Sequence, residues 1–179
     1  MQYDDFKEHV FRHAADAALD AFELFSSDGT SLQVSVTKGA VDRYQDATSG
    51  GAGLKVLRDG KAGFAYTEVY DEESAARLVV EAVHNLSAID AESADRIYAG
   101  RDEYIDVPQY DGAFDSVDPD QAIRWALGME KAALERDQRI AMVPTSTVAI
   151  FTGTARTANS AGLDLAFTRG GAYAYSQAL

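Results

Sequence analysis

Between Tyr3 and Leu19 the apolar residues Phe6, Val10, Ala14, Ala17 and Ala18 recur at steps of three and four. That spacing puts them on one helical face, and alanine favours the helical state, so Tyr3 to about Leu19 reads as a helix. The period changes near Ala21. Leu32, Val34 and Val36 alternate with Gln33, Ser35 and Thr37, the two-residue repeat of a half-buried strand. Asp28-Gly29 before this run and Lys38-Gly39 after it are turn signals, which predicts antiparallel strands in meander order from Phe22 to about Gln45. Val41 to Ala47 continues the strand pattern with less regular alternation.

A second helix opens at Asp71-Glu72-Glu73, with Asp71 as N-cap and the acids at the positive end of the helix dipole. Ala75, Val79, Val83 and Leu86 form its inner stripe, while Arg77, Glu81 and His84 face outward, and it ends near Ser87. Asp118-Pro119 is an N-cap followed by proline at the first helical position, starting a third helix that runs to about Arg136. Ile123, Leu127 and Leu134 mark one of its faces, and Trp125 and Met129 another. Gly128 at its middle predicts close packing there. Short strand-like runs follow at Val148 to Thr152 and Leu163 to Thr168, with a turn at Asn159 to Gly162, then a last run from Ala172 to Leu179. That last run stops in mid-pattern, as though a longer protein had been cut.

The stretch from Ser49 to Thr67 holds Gly50, Gly51, Gly53, Gly60 and Gly63, which invites a test as a phosphate-binding loop. A dinucleotide fingerprint started at Gly51 finds Gly53 but then Val56 in the third glycine's place. A P-loop ending at Gly60-Lys61 needs glycine where Lys55 stands and Ser or Thr where Ala62 stands. Both fail, and neither is followed by a helix. If Asp59-Gly60 is instead a two-residue hairpin loop, Val56 faces Gly63 and Gly53 faces Tyr66, an aromatic covering a glycine. Leu54, Val56, Gly63 and Ala65 then share a buried face, with Gly63 admitting a helix closely. Lys55, Phe64 and Tyr66 share the other face, which is open to solvent, a subunit or a docked peptide.

Composition narrows the chemistry. Cysteine is absent, which removes disulfides, iron–sulfur clusters, thiolate zinc sites and cysteine nucleophiles. With 29 acids against 16 bases and a net charge of −13, binding to nucleic acid through phosphate contacts is disfavoured. The start of the chain shows no basic segment followed by an apolar run, and no apolar stretch suits a membrane span, so the expected compartment is the cytoplasm. From Asp90 to Asp120, ten acids stand against Arg96 and Arg101. The tyrosines and Phe114 within this segment predict an extended strap lying on the protein surface.

His9 and His13 are four apart on the first helix, beside Glu8, a spacing that can share a metal ion. The order Glu8-His9 misplaces the base of a zincin motif, and no third ligand follows from spacing. No Gly-x-Ser-x-Gly occurs. The acid pairs Asp102 and Glu103, or Asp71 and Glu73, offer acid–base chemistry in principle, although acids in connectors and first helical turns are ordinarily solvated.

Glu23 in a first strand, "LQVSVTKGAVDRYQDATSGGAGLKVLRDGKAGFAYTE" with Gly51-x-Gly53 and Gly63, and the Ala/Val-rich helix after it together resemble the N-terminal domain of the TldD/PmbA family. These are the "modulator of DNA gyrase" proteins, understood as metallopeptidase subunits. "SVDPDQAIRWALGMEKAALERDQRI" and "TANSAGLDL" look like the family's second segment, and the resemblance runs from about residue 15 to the end. It implies a parent protein more than twice as long. The zinc-binding His-Glu-x-x-x-His of the catalytic type has no match in this chain, so no catalytic residue carries over. Without Asp-Arg-Pro after Gly162, the chain looks closer to the PmbA (TldE) type, which lacks the zinc motif and pairs with TldD.

The expectation is therefore an α+β protein: an antiparallel meander sheet with packed helices over residues 1–90, an acidic connector over 91–117, and a smaller partial α+β unit over 118–179. The resemblance implies a non-catalytic portion of a peptide-processing system, with no cofactor of its own and zinc only in catalytic family members. Its expected partners are a TldD-type subunit or a second copy, and a peptide docked on Gly51, Gly53, Lys55, Phe64 and Tyr66. The alternative is a self-standing binding module that modulates gyrase. His9 and His13 remain the only metal candidates.

Overall fold

A computed structural model describes residues 1–88, 95–101, 103–105 and 107–179. The elements are α1 (Tyr3–Asp16), β1 (Ala21–Thr37), β2 (Ala40–Arg58), β3 (Lys61–Thr67), α2 (Glu72–Asn85), a short 3-10 turn (Leu86–Ala88), α3 (Pro119–Arg136), β4 (Thr145–Asn159) and β5 (Asp164–Gln177). The strands form an antiparallel sheet in the order β3-β2-β1-β4-β5, giving an α+β fold. The chain divides into two compact units that interleave along the sequence. One comprises Met1–Asp28, Gly50–Val107 and Thr154–Phe167; the other comprises Gly29–Ser49, Pro108–Gly153 and Thr168–Leu179.

In the first unit α1 and α2 bury one stripe each, with β1 and β2 supplying the facing side chains. Phe6, Val10, Leu24, Leu54, Val56 and Leu78 are almost fully buried there, and such burial stabilises by about 1.5–3 kcal/mol for each large side chain. The α2 stripe is wider than the spacing predicted: Leu78 and Ala82 join Ala75, Val79 and Leu86, while Val83 is only partly buried. Asp71 caps the helix, accepting a hydrogen bond from Ser74 N at 2.7 Å. That bond holds the Asp71 carboxyl below its usual range.

The second unit packs α3 on the other parts of the strands. Ala122 and Ala126, not the larger residues, form the fully buried stripe, against Val34, Val36 and Val148. The reason is distance: small residues let the helix axis approach the sheet, and Ile123, Leu127 and Met129 fill the flanks. Glu130 is also buried and accepts a hydrogen bond from Gly39 N at 2.8 Å. It anchors the β1–β2 turn, where Lys38 and Gly39 both have positive φ.

Three expectations change. Asp28-Gly29 is not a turn, because β1 runs through it; a Cβ on Gly29 would collide with Thr152 O and lie 3.0 Å from Gly153 Cα, so the glycine serves a close strand approach. The two runs after Gly162 are one strand, β5, continuous through Gly170-Gly171. There, the absent side chains leave room for the Tyr110 ring beside Gly170 and, 2.9 Å from the Cβ position of Gly171, for the Phe151 ring. Gly128 does not mark close packing, for a Cβ there would meet nothing within 4 Å.

The described residues of 95–118 form no helix or strand. Tyr98 O accepts from Asn159 Nδ2 at 2.8 Å in the first unit, and Tyr110 N donates to Thr168 O at 3.1 Å in the second. Asp102, half of one expected acid pair, lies outside the described residues, as does Asp90 at the head of the acidic segment.

Candidate functional site

The Asp59-Gly60 loop has both residues at positive φ, 51° and 72°, as a two-residue hairpin with the right strand twist requires. The register follows from it: Val56 opposite Gly63, Lys55 opposite Phe64, Gly53 opposite Tyr66. Leu54 and Val56 are buried on one face. A Cβ on Gly63 would strike Ala82 O and come within 3.0 Å of Leu86 N, so α2 rests directly on the strand. Asn85 Nδ2 then donates to Phe64 O at 2.8 Å, satisfying one carbonyl of an edge strand.

On the opposite face the hairpin brings Lys55 and Phe64 together. Lys55 Nζ lies 5.6 Å from the Phe64 ring centroid and 3.0 Å from Asp95 Oδ2. Phe64 and Tyr66 are exposed, Tyr66 by 77%. Tyr66 does not cover Gly53: a Cβ at Gly53 would meet only Ala65 O, at 3.8 Å, with no ring atom within 4 Å. β3 stands at the end of the strand order, and among the described residues no further strand holds the ring inward. Gly51 is needed for a different reason, since a Cβ there would lie 2.9 Å from Thr67 O. The face thus presents an aromatic pair beside a cation that already has an anionic partner.

The histidines do not converge. His9 Nδ1 accepts a hydrogen bond from the Arg12 guanidinium and sits 3.6 Å from Glu72 Oε1. His13 Nε2 is buried without a hydrogen-bond partner. Among the described residues no group of three or more His, Cys, Asp or Glu side chains is arranged to hold a metal ion. His84 is exposed. The described residues therefore do not assemble the donor set of a zinc centre.

Two features escape the sequence. Asn159, buried at the β4–β5 turn, donates to Glu23 Oε2 (3.1 Å) and Tyr98 O while its Oδ1 accepts from Ala161 N (3.0 Å) and Leu163 N (3.2 Å). The Asn-Ser-x-Gly turn signals the local bonds, and only the fold reveals the distant ones. The other is a groove of about 620 Å³ in the second unit, where Arg124, Trp125, Gly128 and Met129 of α3 face Ala172 and Ala174 of β5. Gly128 lines it at a cost to the helix of about 1 kcal/mol relative to alanine.

Residues 22–86 match the family profile described as PmbA/TldA metallopeptidase domain 1, and residues 112–179 match the one described as PmbA/TldA metallopeptidase central domain. The order and spacing of the two define a metallopeptidase-related α+β protein. The chain belongs to the PmbA/TldD family and corresponds to its N-terminal portion. Solved structures agree on the fold. A proposed modulator of a DNA gyrase from Thermotoga maritima is 24% identical, with a TM-score of 0.88 over 99% of this chain and 40% of its own. TldE from Thermococcus kodakarensis is 17% identical, with a TM-score of 0.85 over 97% of this chain and 39% of its own. A proposed modulator of DNA gyrase from Bacteroides thetaiotaomicron is 20% identical, with a TM-score of 0.80 over 93% of this chain and 38% of its own. The chain thus spans about two fifths of the length of these proteins. No curated protein matches its sequence.

Proposed function

We propose that this chain is a non-catalytic portion of a PmbA/TldE-type subunit in a cytoplasmic peptide-processing metallopeptidase system, contributing surface for a TldD-type partner and for peptide. The observation that carries the reading is the pair of family domains matched in order, residues 22–86 and 112–179. The scattered environments of His9 and His13 support the non-catalytic assignment, and the likeness to TldE supports the type. The proposed docking surface is the Gly51, Gly53, Lys55, Phe64 and Tyr66 face, where exposed aromatics offer contact area at little entropic cost. The division into 1–90, 91–117 and 118–179 belongs to the same proposal, with the acidic segment as the connector.

Mixing the chain with a zinc-bearing TldD-type subunit tests this by size-exclusion chromatography with light scattering. A stable complex is expected, weakened when Tyr66 and Phe64 are both replaced by Ser with the fold unchanged by circular dichroism. Failure to form any complex, or a complex indifferent to that double substitution, contradicts the docking assignment. A second reading, modulation of gyrase, draws on what two of the similar structures are described as being. A supercoiling assay separates the two: the peptidase reading predicts no effect of the chain on gyrase.

A further inference from the structure

An Asp-Gly pair is chemically vulnerable, because glycine leaves its nitrogen unshielded beside the carboxyl of the aspartate before it. The chain has three such pairs, at 28–29, 59–60 and 111–112. Attack of the glycine nitrogen on the aspartate Cγ closes a five-membered imide, and the ring forms only when Cβ and that nitrogen eclipse across the Cα–C bond. The fold treats the three pairs differently. Asp28 lies inside β1, its carboxylate held by the Arg156 guanidinium of β4, and Gly29 is packed against Thr152 O and Gly153 Cα. Asp59 has a φ of 51°, the left-handed conformation, in which Cβ sits against the residue's own carbonyl oxygen and so points away from the next nitrogen. Neither pair can rotate into the reactive geometry without breaking the strand pairing around it.

Asp111 belongs to no helix or strand and is exposed, and its neighbours carry the parts of the reaction. Its Oδ1 accepts a hydrogen bond from Ala113 N at 3.0 Å. The carboxyl therefore folds along the chain beside the Gly112 peptide, and a donor already faces the oxygen on which negative charge builds during attack. Asp115 supplies a base: its Oδ2 lies 3.2 Å from the position a Gly112 Cβ would take. Two bonds fix it there, Oδ1 accepting from the Tyr110 hydroxyl at 3.0 Å and the Asp115 N–H donating to Gly112 O at 3.0 Å. Gly112 has a φ of 83°, which a residue with a side chain rarely adopts.

We propose that Asp111-Gly112 is a self-modifying site, at which the chain passes through a succinimide to isoaspartate. The Gly112 nitrogen attacks Cγ of the protonated Asp111 carboxyl and gives its proton to Asp115 Oδ2, while the Ala113 N–H holds the charge on Oδ1. The tetrahedral adduct collapses by breaking the Cγ–OH bond, the hydroxyl takes the proton back from Asp115, and one water leaves. One water then opens the ring. Addition at Cγ restores aspartate and addition at the backbone carbonyl gives isoaspartate, so the sum is an isomerisation that needs no oxidant or cofactor. Isoaspartate lengthens the main chain by one carbon between Tyr110 and Gly112, next to the bond from Tyr110 N to Thr168 O, and loosens that anchor. The site uses residues 110–115 and does not rest on the peptidase reading.

The 179-residue chain is aged at neutral pH in heavy-oxygen water, folded and in concentrated urea, then digested with an endoprotease that cuts before aspartate and not before isoaspartate. In the folded chain the cut before residue 111 should be lost progressively and heavy oxygen should appear at that residue, while the cuts before Asp28 and Asp59 persist. In urea the three sites should age at similar rates, because the fold and not the dipeptide sorts them. Asp115→Ser should slow the change at 111 about tenfold, as removal of a general base implies, with the circular dichroism unchanged, and Asp115→Glu should restore part of the rate. Gly112→Ala should suppress it. Ageing at Asp59 or Asp28 as fast as at Asp111 in the folded chain overturns the proposal. So does the same order of sites in urea as in the fold, or an Asp115→Ser chain that ages like the parent.

Discussion

Two glycines of this chain do opposite things, and their neighbours decide which. Gly63 sits under α2, where a Cβ would collide with Ala82 O, and Gly128 sits on α3 facing open space. Gly63→Ala should destabilise by about 1–3 kcal/mol through overpacking, whereas Gly128→Ala should stabilise by about 0.5–1 kcal/mol through helix propensity. Urea unfolding of the two variants checks both, and equal signs would contradict the assignment. The hairpin register shows why only one of these was legible in the sequence. Asp59-Gly60 pins each partner by simple arithmetic and so places Gly63 on the buried face, but nothing local to Gly128 tells a packed helix face from a groove. The direction of the Tyr66 ring is not legible in the sequence for a similar reason, because pairing fixes where its Cα lies and leaves the ring's direction to neighbours that an edge strand lacks.

Two phenols with buried hydroxyl oxygens set a pH dependence at the same scale. Tyr3 and Tyr70 are pushed above the ordinary tyrosine range by burial, with nearby charges contributing less. Neither hydroxyl finds a partner among the described residues, and Ser26 Oγ, which faces both, meets hydrogen-bond geometry with neither. The folded chain keeps protons that the unfolded chain releases near pH 10. This contribution is therefore intact below about pH 10 and is lost as the pH rises through the folded-state values. Stability measured by thermal unfolding should fall above about pH 10, with a shallower fall in Tyr70→Phe. That variant should be within about 0.5 kcal/mol of the parent at neutral pH, since no hydrogen bond is lost.

At the scale of elements, α3 is tied to the β1–β2 turn by Glu130, a buried acid on an otherwise small and apolar stripe. Glu130→Gln keeps an acceptor for Gly39 N and should cost little. Glu130→Ala frees that N–H to water and should cost about 0.5–1.5 kcal/mol, the net worth of the hydrogen bond, with exchange of the Gly39 amide accelerated first. Equal effects of the two variants would mean that packing, not the hydrogen bond, holds the turn. Helix ends and the β1–β2–β3 meander follow from capping and turn residues, so Asp71, Asp118 and Lys38-Gly39 appear where their chemistry puts them. Strand length does not follow in that way. Gly29 and the Gly170-Gly171 pair look like breaks in a one-dimensional reading, yet each lies inside a long strand at a point where another chain segment comes close.

At the scale of the whole molecule, the chain is the N-terminal portion of a PmbA/TldD family protein, with residues 22–86 and 112–179 carrying the two family domains. The resemblance was legible because order and spacing of several weak motifs add up where no single one suffices. The groove beside α3 was not, since its walls come from three separate parts of the sequence, Arg124–Ala132, Val148 and Ala172–Ala174. The central claim is that this chain offers surface and not catalysis, and it is tested most directly by zinc titration under calorimetry together with a fluorogenic peptide assay on the purified chain. The account predicts no stoichiometric zinc binding and no cleavage; one zinc per chain with peptide cleavage, both removed by His13→Ala, would contradict it.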